Sequence, residues 1–500
     1  MSRGTMIAAI RWRRSPTRPW IPSKRPYKLT DLAGSASNSP VPVGQLADRY
    51  GIELAPSLAD WFESDQWQQT GRQEYHAAVT PGELLADAPE PIWPGLMNAS
   101  LLPLISNRSG DWICGVVDEN SQISRLVQWY HGGGDWILWG NGLPEAIAFD
   151  RLQSRLPGPR RRHAIPAEDP GAPPITVAPS QADRLATADP ENAASKNTAS
   201  KNTDLENTDP WIEWATQYLP PSVAEVLRSE STLDPGQLAG CLIDAHVAET
   251  AVRCELIQDA LQLSVFSALP RSVVEKFSSD SDQISRWSLQ HDSIPPDVRQ
   301  AITEAFNCAG NTAADAPFEQ DWDAAETQAV AVTQLTPDIA WGWDISGLAA
   351  LRRGDRSVAR DRFLRGIECS VFSDQSIRLQ THGTVRIAAK FSAAMLAESF
   401  PETVAESPYL QALCEPNLMR RSDRVSKHWW QLAETAFDEG DFAEAHRCYV
   451  AAGWDVGMRP ITAFADLLDR IAESADRSKQ TGRSALARVH RGCLQDRYGT

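Results

Sequence analysis

Apolar positions change period twice along the chain. From Leu46 to Trp67, the residues Leu46, Tyr50, Leu54, Leu58, Trp61 and Phe62 recur at near-helical spacing with Pro56 interrupting, and Pro81–Ala88 predicts a second short helix. Beyond residue 100 the period shortens to two. Asp111–Val117, Ser124–Tyr130 and Asp135–Leu138 are short runs of β-branched and aromatic residues, set apart by Asp118-Glu119-Asn120 and Gly132-Gly133-Gly134. That is the pattern of antiparallel strands joined by tight turns. Alternation along the second strand puts Gln128 and Tyr130 on one face and Val127 and Trp129 on the other, with Trp129 toward the core. Leu143–Leu152 returns to helical spacing. From residue 210 onward the pattern is helical throughout: Leu238, Leu242, Ala245, Val252, Leu256, Ala260 and Leu263 predict one helix over Leu238–Leu263, and another is expected over Ser376–Phe400. The expected fold class is an α+β N-terminal domain, a small antiparallel sheet with helices, followed by an all-α helical-repeat domain.

Between these parts the composition shifts. From Pro157 to Asp209 there are eight prolines and no aromatic residue, and ASKNT at Ala194–Thr198 repeats at Ala199–Thr203. Such a segment buries too little apolar surface to offset its ordering entropy and reads as a flexible linker. The first 28 residues hold eight basic residues, no acid and four prolines, so they read as a basic disordered tail and not as a secretory signal, whose apolar run they lack. The expected organisation is therefore a tail at 1–28, an α+β domain at 29–156, a linker at 157–209, a helical segment at 210–305 and helical repeats at 306–500.

Internal repetition stands out in the last segment. Trp343, Gly354, Ala359 and Phe363 are matched by Trp429, Gly440, Ala445 and Tyr449 at identical offsets, with Asp355 and Asp441 after the glycines. Two antiparallel helices need a turn at Gly-Asp, a small residue where they approach most closely, and large residues beside it. A degenerate copy places Asp321, Ala325 and Ala329 thirty-four residues before Asp355, Ala359 and Phe363, after a poor first helix containing Gly310 and Pro317. The pattern resembles the tetratricopeptide repeat, which implies a concave groove for a peptide or partner helix.

The N-terminal segment carries a second resemblance. Leu54-Ala55-Pro56-Ser57 leads to Trp61-Phe62, and the run Leu101-Leu102-Pro103-Leu104 follows. Gly110-Asp111-Trp112-Ile113-Cys114 then opens a strand, Val127-Gln128-Trp129-Tyr130-His131 forms the next, and Leu143-Pro144-Glu145-Ala146-Ile147 starts a late helix. This order resembles the SUKH superfamily of SMI/KNR-type proteins over about a quarter of the chain. The resemblance implies protein binding: bacterial members commonly neutralise toxins, and fungal members scaffold cell-wall signalling. Trp112, Tyr130, Asp135 and Trp136 are the candidate partner-binding residues.

Charge and motifs narrow the chemistry. With 48 basic against 65 acidic residues the net charge is -17, which opposes a phosphate backbone, so no nucleic acid partner is expected. No run of 18 apolar residues predicts a transmembrane segment. Eight dispersed cysteines without a C-x-x-C pair fit a reducing cytoplasm. Nine dispersed histidines give no ligand spacing, no phosphate loop occurs, and no cofactor is expected. His131-Gly132-Gly133-Gly134 matches an oxyanion-hole tetrapeptide, yet no G-x-S-x-G accompanies it and a hairpin turn explains the glycines. Basic clusters at Arg160-Arg161-Arg162-His163 and at the chain's end read as solvated charge. The expectation is a non-enzymatic cytoplasmic adaptor or scaffold with a protein partner. The alternatives are an immunity protein neutralising a toxin and, less favoured, a hydrolase using Asp111, Asp118, Glu119 and Asp135.

Overall fold

The computed structural model describes residues 43–157, 164–165, 175–176, 209–229, 233–263, 281–308, 318–373, 388–457 and 460–499. The basic tail, the Arg160–His163 cluster and most of the proline-rich segment lie outside them. The first predicted helix divides into α1 (Val43–Tyr50) and α2 (Pro56–Glu63). Gly51 turns left-handed at φ +59° and Pro56 occupies the first turn of α2, where its missing N–H costs nothing. Thr80 and Glu83 form a capping box that starts α3 (Pro81–Leu85).

Five strands follow in sequential antiparallel order: β1 (Ala77–Ala78), β2 (Leu101–Ser106), β3 (Trp112–Val117), β4 (Ile123–Tyr130) and β5 (Asp135–Gly140). The helix α4 (Leu143–Leu152) has the predicted bounds. The sheet is buried on both faces. Leu102, Leu104, Ile113, Leu126 and Trp139 pack with α1, α2 and α4, while Leu101, Cys114, Val127, Trp129 and Leu138 pack beneath the helical part. Double burial explains why β2, Leu101–Ser106, is a continuous buried run without alternation. Two residues at Ala164–Ile165 and two at Ile175–Thr176 pair as β6 and β7.

Helices make up the described remainder: α5 (Pro210–Ala215), α6 (Pro221–Arg228), α7 (Pro235–Asp244), α8 (Glu249–Ala260), α9 (Ser281–Leu289), α10 (Pro296–Cys308), α11 (Trp322–Leu335), α12 (Ala340–Arg352), α13 (Arg356–Gly366), α14 (Phe391–Ser399), α15 (Pro401–Glu406), α16 (Pro408–Leu413), α17 (Leu418–Glu439), α18 (Phe442–Trp454), α19 (Phe464–Arg477) and α20 (Thr481–Tyr498). The single helix expected over Leu238–Leu263 is two. His246 and Ala248 adopt φ of +53° and +46°, which drives Val247 and Ala248 into the core. The Glu145 carboxylate accepts the Ala248 N–H at 3.1 Å at that break. The helix expected over Ser376–Phe400 is described only as α14, with 374–387 outside the described residues.

Two hairpins follow the repeat register. Gly354 and Gly440 close α12 and α17 at φ +84° and +82°, as residues without a Cβ do at little cost. Asp355 and Asp441 accept the N–H groups of Val358 and Glu444 and so start α13 and α18. Ala359, Phe363, Ala445 and Tyr449 are all fully buried. A third hairpin, α19–α20, turns at Lys479 with φ +63°, and the buried Ser484 follows Gln480 by the four residues that separate Ala359 from Asp355. The degenerate copy also forms a pair, but its partner is α8: Asp321 N–H donates to Ala260 O at 2.8 Å, and Thr250 bonds Thr336 at the other end.

Residues on the two sides of the proline-rich segment share both cores. The larger core joins Trp129 and Leu138 to Ile257, Ala329 and Trp341, and the second joins Leu46 and Trp61 to Trp211, Leu238 and Leu486. The last helix, α20, returns to the sheet, where Arg483 Nε donates to Val117 O at 3.0 Å and Arg497 reaches Glu90 O at 2.5 Å. The boundaries drawn from composition thus separate stretches of sequence that pack together within residues 41–500.

Candidate interaction surface

Strand register puts Trp112, Trp129 and Trp136 in one row across β3, β4 and β5. Trp129 is fully buried, as alternation predicts, and the half-buried Trp112 and Trp136 pack against the same core. The Trp136 ring stacks on Phe372, with centroids 6.0 Å apart and planes at 26°. Its backbone N–H donates to Phe372 O at 2.7 Å. Tyr130 sits opposite Asp135 at the end of the sheet, Tyr130 half-buried and Asp135 buried. Of the four candidate partner-binding residues, three therefore lie against the chain's own packing, and Tyr130 is at the rim.

The candidate acids divide into two groups at opposite ends of β3 and β4. At one end, buried Asp111 accepts His131 Nδ1–H at 2.7 Å, His131 backbone N–H at 3.1 Å and Asn107 Nδ2–H at 3.0 Å. Its hydrogen bond raises the His131 pKa. At the other end, Asp118 accepts the N–H groups of Asn120 and Gln122, each at 2.9 Å, and Glu119 pairs with Arg483 at 3.4 Å. Buried Asp135 stands at the same end as Asp111, opposite Tyr130, while Asp118 and Glu119 are at the far end. The His131–Gly134 tetrapeptide is a hairpin turn, with Gly134 at φ +76° and its N–H bonded to Tyr130 O at 2.9 Å. Among the described residues no group of three or more His, Cys, Asp and Glu is placed to hold a metal ion, and no helix is long and apolar enough to cross a membrane.

The basic residues near the chain's end have internal partners. Arg488 pairs with Asp476, Arg491 with Asp469, and Arg477 lies over the Phe442 ring. The repeat tryptophans differ from one another. Trp343 is half-buried and donates to Pro337 O at 2.7 Å, whereas buried Trp429 donates to Asp455 Oδ2 at 2.9 Å. Asp455 belongs to a buried network that the sequence pattern does not announce. Lys390 Nζ shares its three N–H groups among four acceptors, Asp455 Oδ1 at 2.5 Å, Tyr409 OH at 2.9 Å and the carbonyls of Ile367 and Cys369 at 2.5 and 2.6 Å, and Tyr409 OH donates to Asp455 Oδ2 at 2.6 Å. Its charges and donors are internally satisfied, so it braces α13, α14, α16, α17 and α18 and offers nothing outward.

An outward-facing feature runs along the first half of α17. Met419, Ser422, Ser426 and Trp430, with Asp423, Lys427 and Gln431 beside them, form one side of a groove whose other side is Pro460 and Ala463. Ser422 Oγ donates to Gly457 O and Ser426 Oγ to Ala452 O at 2.8 Å, so both hydroxyls turn inward and the floor presents carbon. Met419 is 61% exposed. With neighbouring Leu418, 52% exposed, it widens the apolar surface at this end of the groove. No family model, no curated protein and no solved structure matches this chain.

Proposed function

We propose that this chain is a non-catalytic cytoplasmic adaptor or scaffold for protein partners, in which a SUKH-like sheet carries tetratricopeptide-like hairpins and the hairpins do the recognising. The groove along α17 supports this reading most directly: its exposed lining is mostly apolar with Asp423, Lys427 and Gln431 among it, it is formed between helical elements, and Met419 is presented at its end. The sheet is a poor competitor for that role because helices cover both its faces. Of the acids that a hydrolase would need, Asp118 and Glu119 serve a turn and an ion pair at one end of the hairpin, and Asp111 bonds His131 at the other.

The test is a photo-crosslinking residue placed at position 419 of the full chain in native lysate, with the same residue at exposed Asp361 as control. A discrete protein adduct formed from 419 and absent from 361 supports the adaptor reading. Identical adducts at both positions, or none at 419, overturn it.

A further inference from the structure

We infer that the α17 groove takes an amphipathic α-helix with acidic flanks from a partner protein; this rests on the adaptor reading and names the partner's chemistry. The floor runs from Met419 to Trp430, eleven residues and so about 16 Å, or three helical turns. Between these two large side chains lie Ser422 and Ser426, one turn apart, small and with hydroxyls bonded inward. A ridge of side chains spaced three to four residues apart fits between such posts, as ridges fit grooves in helix packing. An extended peptide would gain its affinity from backbone hydrogen bonds to a strand edge. This groove has no strand edge, because its two sides are a helix and a short turn; its polar side chains Asp423, Lys427 and Gln431 stand at the rim.

The rim selects the flanks. Arg420, Arg424 and Lys427 are exposed on the first half of α17, with Asp423 the one acid among them, in a chain whose net charge is -17. Arg424 contacts Glu415 at 3.3 Å and Lys427 contacts Asp423 at 2.8 Å. The Lys427–Asp423 pair is exposed on both sides and of small net value, so a partner carboxylate can replace Asp423 there at little cost. Basic side chains around an apolar floor attract an apolar helix edged with Asp and Glu and speed its encounter at low salt.

A displayed library of random 16-residue peptides is selected on the full chain with counter-selection on Met419→Asp. The expected winners carry apolar residues at helical spacing flanked by Asp and Glu. A synthetic winner should lose about tenfold in affinity with Met419→Asp and about fivefold with Lys427→Glu, and weaken as salt rises. Both substitutions lie at exposed positions, and unchanged far-ultraviolet circular dichroism establishes that each variant is folded. Winners that depend on Met419 but are proline-rich, basic or without helical period overturn the inference and leave the adaptor reading standing. Winners indifferent to both substitutions, or none, overturn both.

Discussion

Lys390 is 5% exposed, and its tolerance rests on the ion pair with Asp455 and on hydrogen bonds to Tyr409 and two carbonyls. Removing one partner strands the other charge. Lys390→Met should cost about 3–5 kcal/mol in urea unfolding, and adding Asp455→Leu should recover part of that loss. A full recovery failure would show that the network acts through shape alone. Asp344 is the complementary case. Burial against α14 pushes its pKa up to about 7, opposed by the Ser392 hydroxyl and the Lys390 charge. Because the folded-state pKa lies above the unfolded value of 3.8, its contribution is intact below that value and is lost as pH rises through 7. The melting temperature of Asp344→Asn, compared with the parent protein, should therefore gain between about pH 4 and about pH 8. A difference independent of pH would refute the assignment.

At the scale of helices, the same turn is built from different residues in successive hairpins. A Cβ at Gly440 would meet nothing within 4 Å, so Gly440→Ala tests the left-handed backbone by itself and should cost about 1–2 kcal/mol by thermal unfolding. Lys479→Gly at the third hairpin should move stability the other way, by a few tenths to about 1 kcal/mol. If both substitutions destabilise, the turns are not equivalent. These residues also show what the sequence reveals. Gly354, Ala359, Gly440 and Ala445 are legible because backbone angle and close approach leave few residue choices. Lys479-Gln480 in place of Gly-Asp hides the third hairpin, since a lysine can be held left-handed by the packing around it. The break at Ala245–Ala248 contains neither Gly nor Pro, so periodicity runs straight through it. The pairing of α8 with α11 is hidden by some sixty intervening residues. The α17 groove is equally illegible: nothing in the pattern singles out Met419, Ser422, Ser426 and Trp430, which come together only through the inward serine bonds and the facing Pro460.

For the whole molecule, shared cores predict shared unfolding. Trp129 and Trp341 sit in one core although the sequence places them on either side of a proline-rich stretch. Tryptophan fluorescence and helical ellipticity should therefore fall together in one denaturant transition, and two separated transitions would show that the sheet and helices are energetically independent. The contact that closes the sheet sharpens this coupling. The outer strand β5 is covered where Trp136 bonds Phe372, and that short stretch is held in turn by Val371 N–H on Asp455 O at 2.9 Å and Ser370 Oγ on Trp454 O at 2.5 Å. A guard on a strand edge prevents strangers from pairing with it. Here the guard hangs from the helices, so damage around Asp455, which lies in no strand, would bare a template for intermolecular β-pairing, and its first symptom would be self-association ahead of any loss of helix.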